Sequence, residues 1–284
     1  MDEEKDDFTA LMERLGIERL LNPPPVVSVL RLDGVIGGLG FGRRGLTLDA
    51  LSPAIERAFK PRRLKAVALA VNSPGGSAVQ SALIARRIRS LAEEKEVPVI
   101  AFCEDVAASG GYWLACAADE IYADDNSIVG SIGVISASFG FPELLKRIGV
   151  ERRLHTAGDK KSLLDPFLAE KAAEVKRLKD IQKDIHDNFQ EMVRERRAAK
   201  LKAADKTLFS GQFWTGAKAL ELGLIDGLGD LRPEIRRRYG EDVKFKVVRL
   251  KRPWWKRRFG LSSPGVAESL EAVEERLLWS RFGL

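Results

Sequence analysis

No apolar run in this sequence approaches the ~18 residues of a membrane-spanning helix. Cysteine is scarce: Cys103 and Cys116 are the only two in 284 residues, both in apolar company. That excludes a disulfide framework and reads as reduced core thiols. Histidine is equally scarce, with only His155 and His186. No Cys/His cluster has metal-site spacing, and no metal or other cofactor is expected. The basic start of a signal peptide is missing as well, because the chain opens on Asp2, Glu3, Glu4, Asp6 and Asp7. A cytoplasmic chain without signal peptide or transmembrane helix is therefore expected.

What is present is ordinary for a globular protein: 45% hydrophobic and 31% charged residues. The length suits one large domain with appendages. The net charge of +6 is unevenly spread: residues 1–25 carry seven acids and three bases, residues 232–258 twelve bases and three acids. No nucleic-acid motif accompanies the basic stretch, and no nucleic-acid partner is expected. Lys251-Arg252-Pro253-Trp254-Trp255-Lys256-Arg257-Arg258 has the composition of a peripheral contact with an anionic membrane, such as the inner membrane, or of a linker packed on the core. Both readings stand.

Along the chain, Phe8, Leu11, Met12, Leu15 and Leu20 fall at helical spacing before Asn22-Pro23-Pro24-Pro25. Residues 1–25 thus read as an amphipathic arm with a stiff linker, 26–250 as the main domain, and 251–284 as the basic stretch plus a C-terminal amphipathic helix. Within the domain, strands are expected at 26–30, 66–71, 97–102 and 119–123. Glycine-bearing turns and helices alternate with them, including a helix from 48 to 59 capped by Thr47. That alternation predicts an α/β fold with a largely parallel sheet. Further strands are expected after Gly133, at 150–155 and at 243–250, with helices at 141–148 and 214–222. Val175, Leu178, Ile181, Ile185, Phe189 and Met192 predict one long helix from 168 to 197.

Three turns carry the chemistry. Ser109, flanked by Ala108, Gly110 and Gly111, sits between an apolar strand and a buried helix. Such a turn exposes a hydroxyl and presents free N–H groups at a helix start, which is how a nucleophilic serine is mounted. Ser73-Pro74-Gly75-Gly76 and Gly130-Ser131-Ile132-Gly133 lie at comparable junctions. In an open α/β sheet such junctions gather along one edge, where sites form. N–H groups of Gly75, Gly76 and Gly110 there offer an oxyanion hole, worth about 3–4 kcal/mol per donor. All three turns also read as close-packing devices. For a base, His186 lies on the long helix and His155 has no recognisable orienting acid. A lysine serves instead if desolvation drives it neutral. Lys160 and Lys161 stand beside Leu163 and Leu164, and chemistry alone does not separate them.

Asn72-Ser73-Pro74-Gly75-Gly76, Ala108-Ser109-Gly110-Gly111-Tyr112, Gly130-Ser131-Ile132-Gly133-Val134 and Gly158-Asp159-Lys160-Lys161-Ser162, in that order, resemble the bacterial signal peptide peptidase A family. So does the segment from Phe209-Ser210-Gly211-Gln212 through Leu224-Ile225-Asp226-Gly227. The resemblance spans residues 26–231. It implies a Clp protease/crotonase-like α/β fold and a serine endopeptidase acting on signal-peptide-like or unfolded peptides. Ser109 maps to the nucleophile, Lys161 to the general base, Ser131 to the serine that orients the lysine, and Gly75, Gly76 and Gly110 to the oxyanion hole. It further implies a homo-oligomeric ring of about eight protomers with shared active sites. The family's usual members carry an N-terminal membrane anchor, and none is expected in this chain. Two other classes compete: a crotonase-type acyl-CoA enzyme, which needs an acid at the reacting carbon, and a non-catalytic scaffold of the same fold.

Overall fold

The computed structural model describes residues 23–39, 43–158, 160–248, 276 and 278–283. The expected N-terminal helical stripe and the basic stretch at 251–258 lie outside these residues, as does the stripe at 266–277.

The domain opens with β1 (Val26–Asp33), a short hairpin of β2 (Gly38–Leu39) and β3 (Arg43–Arg44), and α1 (Leu48–Ala58). The Thr47 hydroxyl accepts from the Ala50 amide, as its capping role requires. There follow β4 (Leu64–Ser73), α2 (Ala78–Lys95), β5 (Val99–Ala108), α3 (Gly110–Ala115), β6 (Glu120–Ala123) and β7 (Ile128–Gly130). Next come α4 (Pro142–Arg147) and the long α5 (Ala172–Arg197), then α6 (Asp205–Leu208), β8 (Phe213–Thr215) and α7 (Gly216–Glu221). β9 (Gly227–Leu228), α8 (Leu231–Tyr239) and β10 (Lys244–Val248) complete it.

The sheet runs β10-β1-β4-β5-β6-β9, all parallel, with β7 pairing beside the end of β5. The antiparallel pair β7–β8 is its exception. β4 and β5 are central because both faces of each are apolar. On β4, Val67, Leu69 and Val71 point into the larger core with Ile84 and Ile88 of α2 and Leu114 of α3. Ala66, Ala68 and Ala70 point the other way, into a shallower cluster closed by Ile235 of α8. Large residues thus face the helical layer that carries Ser109. Each buried leucine or isoleucine there contributes about 1.5–3 kcal/mol.

The expected α/β alternation is present. Three local expectations differ. The strand near Gly130 is β7, which ends at Gly130; residues 131–141 pair with no strand. Residues 150–155 likewise join no sheet, and the long helix begins at Ala172 rather than 168. The reason is common to all three: residues 135–171 form an arm in which no described residue is buried, so no neighbouring strand or core face orders them. Phe139, Phe141 and Phe167 meet in tilted pairs along the arm at 6.4 and 5.8 Å between ring centroids, and Arg152 pairs with Asp165 at 2.7 Å.

Candidate active site

Parallel pairing of β5 with β4 on one side and β7 on the other brings the three glycine turns together at the ends of these strands. Ser109 joins β5 to α3 with φ +52° and ψ −119°, a backbone costing on the order of 1–3 kcal/mol for a residue with a Cβ. It is held there from both sides. Its N–H donates to the Gly130 carbonyl at 2.8 Å, and its carbonyl accepts from Trp113 N–H at 3.0 Å. A Cβ on Gly75 would stand 2.8 Å from Ser109 Cβ, so the first turn lies directly against the serine.

The turn is clamped in turn by the loop after β1. Ile36 N–H donates to the Gly75 carbonyl and Ser77 N–H to the Ile36 carbonyl, both at 2.8 Å. Within the turn, Gly75 N–H donates to Ser73 Oγ at 3.2 Å. The amides of Gly76 and Gly110 are left without a protein acceptor among the described residues. These two are close together: a Cβ on Gly110 would be 3.4 Å from Gly76 N. Gly76 is exposed and Gly110 buried at the start of α3. Of the three glycines expected to line an oxyanion hole, Gly75 therefore supplies space and the other two supply free donors.

Ser109, Gly76, Gly110 and Ser131 line one cavity of about 640 Å³. Ser131 follows Gly130 with φ +53° and donates its N–H to the Gln212 carbonyl at 2.8 Å. The apolar wall is Trp113 stacked on Phe189 of α5, with ring centroids 4.6 Å apart. Phe282, which also lines the cavity, meets Phe213 edge-on at 5.2 Å.

Lys161 is elsewhere. It is exposed on the arm, and it lines a separate cavity of about 380 Å³ with Arg152, Leu154 and Asp165. Among the described residues no lysine lines the Ser109 cavity. Lys160 is exposed on the same arm.

His186 does line the Ser109 cavity, which sequence reasoning gave no reason to expect. Both of its ring nitrogens are paired with groups other than Ser109. Nε2 lies 3.1 Å from the Ile132 carbonyl, which only accepts, so Nε2 carries the proton. Nδ1 lies 3.2 Å from Gln190 Nε2, which only donates, so the remaining lone pair is engaged. Its spacing from Phe189, three residues on along the same helix, was the available signal that it faces the core. Cys103 and Cys116 are buried; burial pushes their thiols up to about 12 and about 11, so neither is a nucleophile at neutral pH.

The sequence profile of peptidase family S49 matches residues 92–243, more than half of the chain. The chain belongs to this family. Curated relatives include a Brucella abortus protein named Na(+)/H(+) antiporter NhaA, 50% identical over 289 residues, covering 96% of this chain and 39% of that one. Protease 4 of Haemophilus influenzae is 34% identical over 239 residues, covering 82% of this chain and 37% of that one. The S49 chain thus spans less than two fifths of either relative. Among solved structures, a mutant of the 1510-N membrane-bound stomatin-specific protease in complex with a substrate peptide aligns with a TM-score of 0.50 at 13% identity. That alignment covers 88% of this chain and 99% of the other. The S49 chain has the Clp protease/crotonase-like fold expected from its motifs. Among the described residues no helix is long and apolar enough to cross a membrane.

Proposed function

We propose that the protein is a serine endopeptidase that cleaves signal-peptide-like or unfolded peptides through an acyl-enzyme on Ser109. The observation that carries this reading is the strained Ser109 backbone beside two uncommitted amides, Gly76 and Gly110. Strain of this kind persists where the surroundings enforce it, and here it presents the hydroxyl to a cavity. Lys161 takes the Ser109 proton as Oγ attacks the peptide carbonyl. The Gly76 and Gly110 N–H groups receive the oxyanion. The lysine then protonates the leaving amine, and water hydrolyses the ester. Ser131, on the cavity wall, orients the lysine.

Because Lys161 lines another cavity in its own chain, we propose that it enters the site of a neighbouring protomer in a homo-oligomeric ring. Three features support this reading. The arm is exposed, it carries Lys161, and it leaves Phe139 81% and Ile135 68% accessible. Nothing supports the crotonase-type alternative: no carboxylate lines the cavity among the described residues. The antiporter name of the Brucella relative is not carried over to a chain that matches 39% of it.

The test is a fluorophosphonate probe together with a fluorogenic peptide. Wild-type protein should be labelled once per chain, at Ser109, and should turn over peptide. Ser109→Ala should do neither while keeping its melting temperature. Turnover by pure Ser109→Ala at the wild-type rate would overturn the assignment.

A further inference from the structure

We propose that His186 is a positioning residue of this site. Its Nε2–H fixes the Ile132 carbonyl, and thereby Ser131 and the root of the arm, in the geometry the reaction needs. The inference rests on the Ser109–Ser131 reading above and assigns a role to a side chain that the reading leaves unused.

The segment from Gly130 to Ile132 is tied at three successive residues. The Gly130 carbonyl accepts from Ser109, and the Ser131 amide donates to Gln212. The Ile132 carbonyl accepts from His186. The first tie joins the segment to the nucleophile itself. The third comes just where the chain leaves the core. Ile132 is fully buried, whereas every residue from 135 to 140 is exposed. The next backbone hydrogen bond along the chain, from Phe141 N–H to the Pro166 carbonyl, is internal to the arm. Among the described residues, His186 therefore makes the last hydrogen bond between the core and the arm at this end. Ser131 stands between two of the ties at φ +53°, a backbone that relaxes readily once a tie is lost.

The donor sense of that link is set by a relay along one face of α5. Residues 186, 190 and 194 are spaced by four and lie one above the other. Arg194 donates to Asp205 at 2.7 Å and to Gln190 Oε1 at 2.9 Å. An arginine only donates, so the Gln190 amide oxygen must face it. That turns Gln190 Nε2 toward His186, where it donates to Nδ1 at 3.2 Å. The proton is thereby confined to Nε2, the atom facing the Ile132 carbonyl at 3.1 Å. A surface histidine with a merely structural part to play needs no such control of its tautomer. Here a run of hydrogen bonds from Asp205 through Arg194 and Gln190 to His186 keeps the final donor facing Ile132.

Three variants separate this role from packing, using full-length protein and peptide turnover. His186→Phe keeps an aromatic ring beside Phe189 and removes the donor. His186→Gln places an amide nitrogen the same number of bonds from the backbone as Nε2, and so restores the donor. Gln190→Leu removes the tautomer control. His186→Phe should keep the wild-type melting temperature and lose kcat by on the order of tenfold to a hundredfold, the scale of misplaced catalytic groups, with KM little changed. His186→Gln should recover most of that loss, and Gln190→Leu should fall between. Wild-type kcat in His186→Phe would overturn the proposal, and so would equal defects in His186→Phe and His186→Gln. An active Ser109→Ala would fail the reading of the site itself, a result distinct from either outcome for His186.

Discussion

At the scale of single residues the site is made by glycines as much as by the serine. Gly75 has φ +103°, and a Cβ there would meet Ser109 Cβ at 2.8 Å. Gly75→Ala should therefore lower the melting temperature, through strain of about 1–3 kcal/mol, and displace the nucleophile. Turnover should fall by on the order of a hundredfold, as for catalytic groups moved by an ångström. Gly240→Ala is the control. Its φ is +91° and nothing lies within 4 Å, so it should cost stability without touching the rate. Thermal melts and peptide turnover on both variants decide; equal turnover in the two would refute the steric account. The three glycine turns were legible as junctions because small residues recur at the ends of the expected strands, and parallel pairing of β4, β5 and β7 brings them together. The division of labour between Gly75 and Gly76 was not. It depends on Ser73 Oγ and on Ile36 from another loop. His186 was illegible for the same reason: its role is set by a carbonyl from β7's far side and by the helix face beneath it.

At the scale of elements, the ends of the long helix and of α8 are pinned by charge. Arg197, only 2% exposed, reaches Asp226 at 2.6 Å and the Gly223 carbonyl at 2.9 Å. Burial pushes the Asp226 carboxyl up, but hydrogen bonds from Arg197, Lys200 and the Ile121 amide outweigh it and hold it below the ordinary range. Arg197→Met removes one partner of a buried pair and should cost on the order of 3 kcal/mol in urea unfolding, with Lys200 still in place. On α8, hydrogen bonds from Arg237 and then Arg238 draw Glu234 down from 4.5 to about 2. A carboxyl depressed in the folded state stabilises it above the ordinary value and ceases to as pH falls through the folded one. Unfolding free energy should therefore decline from about pH 4.5 toward pH 2, and Glu234→Gln should lose less over that window. A parallel decline in both proteins would remove Glu234 from the account. The central strands and α2 were legible because unbroken apolar runs and capped helical stripes are local signals. Residues 150–155 misled because Val150 and Leu154 have strand character, yet a strand exists only where a neighbour pairs with it. α8 escaped notice because Arg236, Arg237 and Arg238 dominate it while a single residue, Ile235, is buried.

At the scale of the whole molecule, the chain keeps its proposed nucleophile and its proposed base in different cavities. A half-buried serine at an enforced elbow, with no lysine lining its cavity and its one neighbouring histidine engaged at both nitrogens, has no base beside it among the described residues. The exposed arm bears Lys161 together with Ile148, 61% accessible, and Phe139, and such a stripe is suited to cover by a second copy. A closed ring repeats that heterologous contact until no arm is left over. Mixing inactive subunits tests the arrangement. Ser109→Ala and Lys161→Ala, each inactive alone, are co-expressed with different tags and purified through both. If each site takes its serine from one protomer and its lysine from the next, some junctions pair an intact Ser109 with an intact Lys161. Activity then returns as a fraction set by the subunit ratio. Lys160→Ala, altering the neighbouring exposed lysine, should be close to wild type and should complement nothing. Mixed rings that stay silent would place both groups within one subunit, and a monomer that turns over peptide would dispense with the ring.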